Sequence, residues 1–535
     1  MKKTFLLYRA WAKSVSSFFQ GSTWLLIAPR LLILCMALWL GVPQFTSLAQ
    51  MDGREKIADI VWTDTENGGL AQVVVYLSDQ ADLTTREKGL VPEAMEQAEQ
   101  GAYVFAALQA VQMRSQIPIQ QLLTQRQHPF QPFWVVNAVA STINRGTLLA
   151  LAAQPGVAKI ESNRPFLGVL SPAPKPSAAP MQLGVEPNIA WIHADSLWGL
   201  GYTGQNMVVA SADTGVDWSH LALKDKYRGW DGASVNHDYA WHDAIHSDIS
   251  GNGTNPCGFS SLTACDDYGH GSHTVGIMVG DDGSNQIGVA PGAKWIACRN
   301  MEQGYGQLST YLECLQFFLA PTQTDGSNPD PSMRPHIINN SYACGTSEGC
   351  GYTSLDTAIQ NLRSAGIMFV AAAGNSGPSC NIISFPPAMS PYAFTIGATY
   401  ASSDTIASFS SRGPIAVNGS NLLKPDMVAP GQGIRSSVLA GGYAYLSGTS
   451  MAAPHVAGSI ALLWSAHPWL LRNVALTEQY YRQTVRPLTS SQTCGSYPGS
   501  QVPNAVYGYG ALDVLATHNF LNSLYIYYFP YISIP

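Results

Sequence analysis

The chain has 535 residues, of which 46% are hydrophobic and 12% are charged, and its formal net charge is −7. This length allows two or three domains and a large hydrophobic core. The charge balance is too mild to indicate a charged partner, and without a basic patch or an arginine-rich run we expect no nucleic-acid binding.

The N-terminal segment has the pattern of an export signal. Its basic residues are Lys2, Lys3, Arg9, Lys13 and Arg30. They precede an apolar run over residues 31–42, and small residues near Ala49 suit cleavage. We predict a signal peptide over residues 1–49 and a secreted, extracellular protein. A membrane anchor is the alternative, but Pro29 and Arg30 interrupt the apolar stretch and leave it too short to cross a bilayer, so we expect no stable membrane span.

Residues 50–170 are predicted to form a small α+β domain. β-prone runs at residues 73–77, 133–143 and 157–161 alternate with helical runs at 93–114 and 147–153. The order strand, helix, strand, helix, strand is typical of a ferredoxin-like fold. The next segment, residues 171–182, is rich in proline and is predicted to be a flexible, semi-extended linker.

The rest of the chain carries polar residues at the ends of apolar runs. One such run ends at Asp213, which predicts a buried strand with a carboxylate at its C-terminal end. His270 and Ser450 each stand at the head of a run of small residues that predicts a helix, and a helix N-terminus presents unpaired N–H donors. A further buried strand precedes Asn375, whose side-chain amide can reach an oxyanion.

These residue types together suit acyl transfer. We predict that Ser450 attacks the scissile carbonyl, that His270 takes and returns its proton, and that Asp213 holds the imidazole. Asn375 and the Ser450 N–H are predicted to bind the oxyanion. Taken singly, Asp213 could be a helix cap and Asn375 a turn residue. The order Asp, His, Ser separates this arrangement from those of the α/β-hydrolases and of the chymotrypsin type.

These motifs, together with residues 223–229, 286–295 and 424–426, resemble those of the subtilisin (subtilase) family of serine proteases, and most of all its bacillopeptidase F-like members. The resemblance covers most of residues 183–515. It implies an α/β catalytic domain over residues 183–518, with a doubly wound, mostly parallel sheet and helices on both faces. The chain agrees with it, because predicted strands alternate with helical stretches. Those strands lie near residues 208–213, 295–299, 337–341, 367–372 and 393–398.

The resemblance also implies roles for further residues. Thr449 would assist at the oxyanion, and Ser341, Tyr342 and Ala343 would pair with the backbone of an extended polypeptide substrate. Residues 50–170 would be a prodomain that templates folding and acts as an intramolecular inhibitor, with its C-terminal tail in the substrate groove. Self-cleavage would then fall between residues 164 and 181. A plain accessory domain is the alternative.

The chemistry requires no cofactor, although the resemblance allows a structural calcium ion at the loop 280–286. A cluster of histidines and aspartates has residue types that suit a metal: His237, Asp238, His242, Asp243, His246 and Asp248. Its spacing fits no standard ligand pattern, so we assign no metal there. Residues 199–204 match a dinucleotide pattern but precede a strand instead of linking a strand to a helix. We expect His273 and His455 to be structural.

Eight of the nine cysteines lie in the predicted catalytic domain, and this even count in an exported protein predicts four disulfides. The sequence leaves many pairings open. Short loops favour Cys257–Cys265 and Cys344–Cys350. Cys298–Cys314 would join a predicted strand to the next helix, which leaves Cys380–Cys494 by elimination.

Residues 519–535 form an aromatic, β-prone tail that could add a strand, dock on a surface or be the stub of a trimmed segment. We expect a monomer. The function predicted from the sequence is that of a secreted serine endopeptidase made as a self-cleaving zymogen. Two alternatives stay open: a catalytically silent scaffold used for binding, and a hydrolase that uses the same triad on esters.

Overall fold

The structure, a computed structural model, describes residues 53–83, 97–168, 184–345 and 350–528. The predicted signal peptide and linker lie outside these residues. The chain divides into two compact units, Met1–Arg54 and Glu55–Pro535, and all elements named below belong to the second. Among the described ranges, we find no helix with the length and hydropathy that a membrane crossing needs.

Residues 55–168 are called the N-terminal domain, which combines a four-stranded sheet with helices. Its elements are α1 (Asp59–Asp64), β1 (Leu70–Leu77), α2 (Gln97–Ser115), α3 (Ile117–Gln125), β2 (Phe130–Phe133), β3 (Ala138–Asn144), α4 (Arg145–Ala152), β4 (Val157–Ser162) and β5 (Phe166–Leu167), with a 3-10 turn at Glu66–Gly68. The sheet is antiparallel in the order β2-β3-β1-β4. With one helical segment after β1 and one after β3, this is the ferredoxin-like β-α-β-β-α-β arrangement.

The strand predicted at residues 133–143 is in fact a hairpin. Strands β2 and β3 pair antiparallel around a turn. The sequence of the turn resembles that of a strand because its residues are apolar. Their apolar character matches their burial against the C-terminal part of the chain. There the Trp134 N–H donates to Gln316 Oε1 at 2.7 Å, and the Val135 carbonyl accepts from Asn361 at 2.8 Å. These distant partners satisfy backbone groups that a turn leaves unpaired.

The helical segment after β1 is longer than predicted and is interrupted. Within the described residues it consists of α2 and the unpredicted helix α3, which are separated by Gln116. The Gln116 side chain is fully buried, and its amide donates to the carbonyls of Phe133 and Ala138 at 2.8 and 3.1 Å. The break therefore places a polar group where it can bind the hairpin.

Residues 184–528 are called the C-terminal domain. Its elements are β6 (Gly184–Val185), α5 (Pro187–Trp191), α6 (Ala194–Gly199), β7 (Val208–Asp213), α7 (Leu221–Lys224), β8 (Trp241–Asp243), α8 (His270–Val279), β9 (Asn285–Gln286), β10 (Lys294–Arg299), β11 (Met301–Glu302), β12 (Tyr305–Gly306), α9 (Leu308–Leu319), β13 (Ile337–Asn340), α10 (Asp356–Ser364), β14 (Met368–Ala372), β15 (Phe394–Tyr400), β16 (Met427–Gln432), β17 (Ile434–Val438), β18 (Gly442–Leu446), α11 (Thr449–Ala466), α12 (Val474–Thr484) and α13 (Val514–Tyr528). Short 3-10 helices lie at Pro331–Met333 and Pro468–Leu470.

A seven-stranded parallel sheet in the order β16-β15-β14-β13-β7-β10-β8 forms the centre of this domain. Helices α8 and α11 pack against each other and on β7, while α9 and α10 pack on β10 and β14. Helices that flank a parallel sheet bury its strands, which explains why these strands are continuous apolar runs. The predicted α/β class is confirmed.

The parallel sheet brings the predicted site residues to one edge. Asp213 ends β7, Ser341 follows β13, and Asn375 lies three residues beyond β14. Helix α8 begins at His270, and α11 begins one residue before Ser450. Because parallel strands share one carboxyl edge, residues from five distant segments come together there.

The C-terminal segment is helical where the sequence suggested a β-prone tail. Residues 519–528 belong to α13. Packing decides this, since Leu521 is fully buried and His518 Nδ1 lies 3.1 Å from His467 Nε2, just beyond the end of α11. Residues 529–535 lie outside the described part of the chain.

Candidate active site

Asp213 and His270 form a buried pair at the sheet edge. His270 Nδ1 lies 2.8 Å from Asp213 Oδ1, and each side chain is 1% exposed. Gly271 permits this approach, because a Cβ atom there would collide with the Gly215 carbonyl oxygen. Burial lowers the pKa of His270, but the charge and hydrogen bond of Asp213, with a contribution from Asp266, outweigh burial and raise it. With Nδ1–H on Asp213, Nε2 is the nitrogen that can act as a base.

Ser450 lies at the start of α11, against the end of β13. Its hydroxyl donates to the Ser341 carbonyl at 3.3 Å, and the Ser341 hydroxyl donates to the Ser450 carbonyl at 3.0 Å. Across the described residues, no hydrogen bond joins Ser450 to His270. Pairing with His270 therefore requires the hydroxyl to leave Ser341.

Thr449 holds Asn375 in place. The Thr449 N–H and hydroxyl donate to Asn375 Oδ1 at 2.8 and 2.9 Å, and the Gly374 N–H donates to the Thr449 hydroxyl at 3.0 Å. Because Oδ1 has two donors, Nδ2 remains as the free donor of the Asn375 amide. Thr449 is fully buried, whereas Asn375 is half-buried. Thr449 thus orients Asn375, which is the residue that can contact a ligand.

A cavity of about 230 Å³ opens beside Ser450. Its walls are the segment after β13, which contains Ser341, Tyr342 and Ala343, the segment after β14, and residues 382–388. Of the described residues that line it, none is charged. The cavity therefore suits an uncharged group attached to a backbone that passes Ser450.

Tyr342 is a wall residue fixed by its neighbours. Its ring stacks on Tyr311, with centroids 4.1 Å apart and an interplanar angle of 6°. The ring of Phe166, from the N-terminal domain, meets Tyr311 edge-on at 5.9 Å. This aromatic stack joins the two domains beside the cavity.

Strand β5 of the N-terminal domain lies along the same cavity. It pairs antiparallel with β12, and the Gly168 N–H donates to the Gly304 carbonyl at 2.9 Å. On the other side the Ala343 N–H donates to the Gly168 carbonyl at 3.4 Å. An extended segment from one domain is thus held between two backbone segments of the other.

Two features of the site were not predicted from the sequence. One is the buried carboxylate of Asp266, and the signal for it is limited to its place four residues before His270. The other is β12, a two-residue strand that is too short to produce a recognisable alternation.

The eight cysteines of the C-terminal domain are paired as short separation and elimination favoured. The disulfides are Cys257–Cys265, Cys298–Cys314, Cys344–Cys350 and Cys380–Cys494. Two of these disulfides lie close to the cavity in the sequence: Cys344 directly follows the lining residue Ala343, and Cys380 follows the segment of Asn375.

The histidine and aspartate cluster at residues 237–248 does not converge on one point. Four of its side chains have separate partners: His237 with Tyr227, Asp238 with Thr324, Asp243 with Arg299, and Asp248 with the backbone of Gly251 and Gly253. The other two, His242 and His246, both bind the Glu313 carboxylate. Burial raises the pKa of Glu313, but these histidines lower it to about 2. In the described ranges, no group of three or more His, Cys, Asp or Glu side chains could hold a metal ion.

His273 and His455 are fully buried and have hydrogen-bond partners of their own. His273 Nε2 donates to the Ala444 carbonyl at 3.1 Å, and burial lowers the pKa of His273 to about 3. His455 contacts the Met451 carbonyl and Asn188 at 2.8 Å each, and burial lowers its pKa to about 4. Both are neutral packing residues. Residues 199–204 connect α6 to β7 and have no phosphate-cradling geometry.

The residues of the loop 280–286 do not fit a calcium ion. The Asp282 carboxylate accepts from two backbone N–H groups, from the Asn285 amide and from the Tyr443 hydroxyl. The guanidinium of Arg435 donates to Asn285 Oδ1 at 2.7 Å and to Glu186 at 2.8 Å. Ca²⁺ takes about six to eight oxygen ligands, whereas here both Asp282 oxygens and the Asn285 amide oxygen accept hydrogen bonds, and the positive charge of Arg435 lies beside Asn285.

Comparison with known proteins gives consistent matches. The model of the peptidase S8, or subtilase, family matches residues 204–510. Bacillopeptidase F of Bacillus subtilis (strain 168) is 36% identical over 398 residues, which are 71% of this chain and 26% of that protein. Subtilisin E of the same strain is 33% identical over 63% of this chain and 72% of the subtilisin. A subtilisin of Bacillus pumilus is 34% identical over 52% of this chain and 84% of its own length. The chain thus aligns with about a quarter of Bacillopeptidase F but with most of each subtilisin.

Proposed function

The chain belongs to the subtilase family of serine-type endopeptidases, and from this we propose that it is a secreted serine endopeptidase made as a self-cleaving zymogen. The observation that carries the proposal is the buried Asp213–His270 pair at the carboxyl edge of the parallel sheet, where Ser450 lies in the first turn of α11. Four disulfides support export, because such bonds persist in oxidising compartments.

In the proposed reaction Ser450 Oγ attacks the scissile carbonyl carbon while His270 Nε2 accepts the hydroxyl proton. Asp213 keeps its bond to Nδ1–H and stabilises the imidazolium. The tetrahedral intermediate expels the amine, which receives the proton from His270, and an acyl-enzyme remains. Water then attacks the ester with the same base, which releases the carboxylic acid and restores Ser450.

The oxyanion would be stabilised by Asn375 Nδ2 and by the Ser450 N–H. Asn375 is held with Oδ1 on Thr449, so its amide needs no rearrangement during the reaction. The Ser450 N–H is one of the N-terminal donors that a helix does not use internally, and the helix dipole adds a partial positive charge there. In this proposal Thr449 contributes by orienting Asn375.

The proposed substrate is an extended polypeptide that adds a strand between β12 and residues 341–343. Strand addition draws affinity from backbone hydrogen bonds and selectivity from side-chain pockets. Strand β5 makes such bonds from within the chain. The uncharged cavity beside Ser450 leads us to propose an uncharged side chain immediately before the scissile bond.

We further propose that the N-terminal domain is the inhibitory prodomain. It contacts helices α9 and α10 through its sheet and hairpin: Gln131 donates to Glu313 at 2.5 Å, and Ser354, just before α10, donates to Glu161 at 2.5 Å. Its strand β5 fills the groove that a substrate would use. Because β5 holds the domain in the groove, we place the cleaved bond after Gly168, within residues 169–181.

Replacing the nucleophile tests this proposal. Ser450→Ala should lose hydrolysis of casein or of a fluorogenic peptide by a factor on the order of a million, and it should accumulate chain that still carries the N-terminal domain. Ser465→Ala, at the far end of α11, is the matched control and should behave as the wild type. N-terminal sequencing of the secreted wild type should find a start within residues 169–182.

The outcomes also separate the alternatives. Peptide cleavage by Ser450→Ala equal to that of the wild type would exclude Ser450 as the nucleophile. A folded wild type that cleaves no peptide would indicate a binding scaffold, and cleavage of a nitrophenyl ester without peptide cleavage would indicate an esterase. Normal maturation of Ser450→Ala would assign processing to another protease.

A further inference from the structure

A second buried carboxylate, that of Asp266, lies at the N-terminus of α8, where His270 begins the helix. It accepts five hydrogen bonds. Three go to Oδ1, from the Thr214 hydroxyl at 2.8 Å, the Tyr268 N–H at 3.0 Å and the Gly269 N–H at 2.7 Å. Two go to Oδ2, from the Ser272 N–H at 2.9 Å and the Ser272 hydroxyl at 2.7 Å. A carboxylate surrounded by donors is the ionised, accepting form of Asp266.

These donors come from the two segments that carry Asp213 and His270. Thr214 directly follows Asp213, and its hydroxyl also accepts from the Gly271 N–H at 3.0 Å. Ser272 lies two residues after His270, in the first turn of the same helix. One carboxylate therefore ties the end of β7 to the start of α8.

We propose that Asp266 is a positioning residue that holds His270 on Asp213 and stabilises the imidazolium formed during catalysis. This inference rests on the proposed function, because it assigns Asp266 to the reaction of His270 with Ser450.

The negative charge of Asp266 offsets the positive end of the α8 dipole beside His270. A helix N-terminus carries a partial positive charge of roughly half an elementary unit, which disfavours an imidazolium on the first helical residue. Asp266 places a full negative charge at the same terminus. Within the described residues Asp266 makes no ion pair, because Arg299 is used by Asp243 and Asp267. Its charge therefore acts on His270 without a cation to offset it.

Three of the described titratable groups interact with His270. Asp213 faces it from β7 and accepts the Nδ1–H. His273, one turn later in α8, is neutral because burial lowers its pKa to about 3. Asp266 faces it from the preceding loop, and its charge contributes to the raised pKa of His270. Burial raises the pKa of Asp266 itself above its ordinary value, although the bonds from Ser272 and the backbone partly oppose that.

The loop that carries Asp266 is fastened to the segment after Asp213. Cys265 forms a disulfide with Cys257, and its carbonyl accepts from the Val216 N–H at 3.2 Å. The Asp267 N–H donates to the Thr214 carbonyl at 3.4 Å. The carboxylate is thus fixed before substrate binds, as preorganised electrostatic stabilisation requires.

The pH dependence of activity tests the proposal. For Asp266→Asn we expect kcat to fall by about 10- to 100-fold with KM nearly unchanged, because misplacement of a catalytic group costs rate more than binding. The acid limb of kcat/KM should move to lower pH, since His270 loses a charge that favours its protonation. Asp266→Glu keeps the charge, so its acid limb should stay near that of the wild type while kcat still falls. Asp231→Asn, an exposed turn carboxylate, is the control and should change neither.

Unchanged kcat and an unchanged acid limb in a folded Asp266→Asn variant would overturn the proposal, even if its melting temperature fell. If this variant cannot be recovered folded, Asp266→Glu and Ser272→Ala carry the test. Both keep the charge, so kcat should fall while the acid limb stays, and wild-type kcat in both would overturn the proposal. Activity retained by Ser450→Ala would instead reject the proposed function.

Discussion

The two domains solve the problem of covering a sheet in different ways. The parallel sheet of the C-terminal domain is flanked by helices of its own domain, whereas the antiparallel sheet of the N-terminal domain has one face on its own core and one on its neighbour. Along β1, Val73, Val75 and Leu77 belong to the domain's own core, while Val74 and Tyr76 belong to the core of the C-terminal domain. Alternate residues of a strand point to opposite faces. The second face of this sheet is therefore covered by the C-terminal domain.

The ion pairs of the two domains also differ in how far their side chains are exposed to solvent. The N-terminal domain carries an ion pair at its surface, where Arg114 and Asp79 are 59% and 42% exposed. The C-terminal domain contains buried ion pairs, among them that of Arg435 and Glu186, which are 6% and 2% exposed. It also contains buried histidines and all four disulfides. The C-terminal domain thus holds costly polar groups inside, which makes its stability more sensitive to loss of a partner or to pH.

Removal of one buried charge should have the largest effect on stability. Arg435→Met leaves Glu186 buried without its partner, and we expect the free energy of unfolding to fall by about 3–5 kcal/mol. Arg114→Met removes an exposed partner and should leave the free energy of unfolding nearly unchanged. Thermal and denaturant unfolding of both variants, in the inactive Ser450→Ala chain, measure the difference. Equal losses would remove the contrast between the domains.

Acid should destabilise the C-terminal domain next most strongly. Burial lowers the pKa values of His467 and His455 to about 4, below about 6.5 in the unfolded chain. The neutral histidines stabilise the fold above pH 6.5, and this contribution is lost as the pH falls towards 4. Between pH 7 and 4.5 we expect a loss of about 2–3 kcal/mol per histidine. His467→Gln should flatten this dependence when denaturant unfolding is followed across this pH range.

Loss of one hydrogen bond between the two domains should have the smallest effect. The Tyr76 hydroxyl donates to the Ser354 carbonyl at 2.9 Å across the two domains. Tyr76→Phe should weaken inhibition by the cleaved N-terminal domain by about 1 kcal/mol, or about fivefold in the inhibition constant. Thr124→Ala removes an exposed hydroxyl that binds only within α3 and should not alter inhibition. A Tyr76→Phe domain that inhibits as well as the wild type would show that this hydrogen bond adds nothing to the association of the two domains.

Much of the candidate site follows from patterns a few residues long. An apolar run that ends in Asp213, and runs of small residues that begin at His270 and Ser450, indicate strand ends and helix starts without reference to the rest of the chain. Parallel strands with helical connections then require those ends to meet. Short separations likewise indicated two of the four cysteine pairs, Cys257–Cys265 and Cys344–Cys350. The catalytic roles of these residues remain our proposal.

Other features were decided by burial against residues far away in the chain. The sequence does not distinguish the turn after β2 from a strand, because the turn is apolar. It is buried against the C-terminal domain, which also satisfies its backbone hydrogen bonds. Residues 519–528 are helical because Leu521 and His518 pack on the C-terminal domain. The place of Asp266 beside His270 depends on a loop folded back onto the segment after Asp213, and the loop of Asp282 is occupied by Arg435 from a distant hairpin. Local patterns report hydrogen bonding and periodicity along the chain, whereas desolvation and charge pairing depend on which distant segments become neighbours.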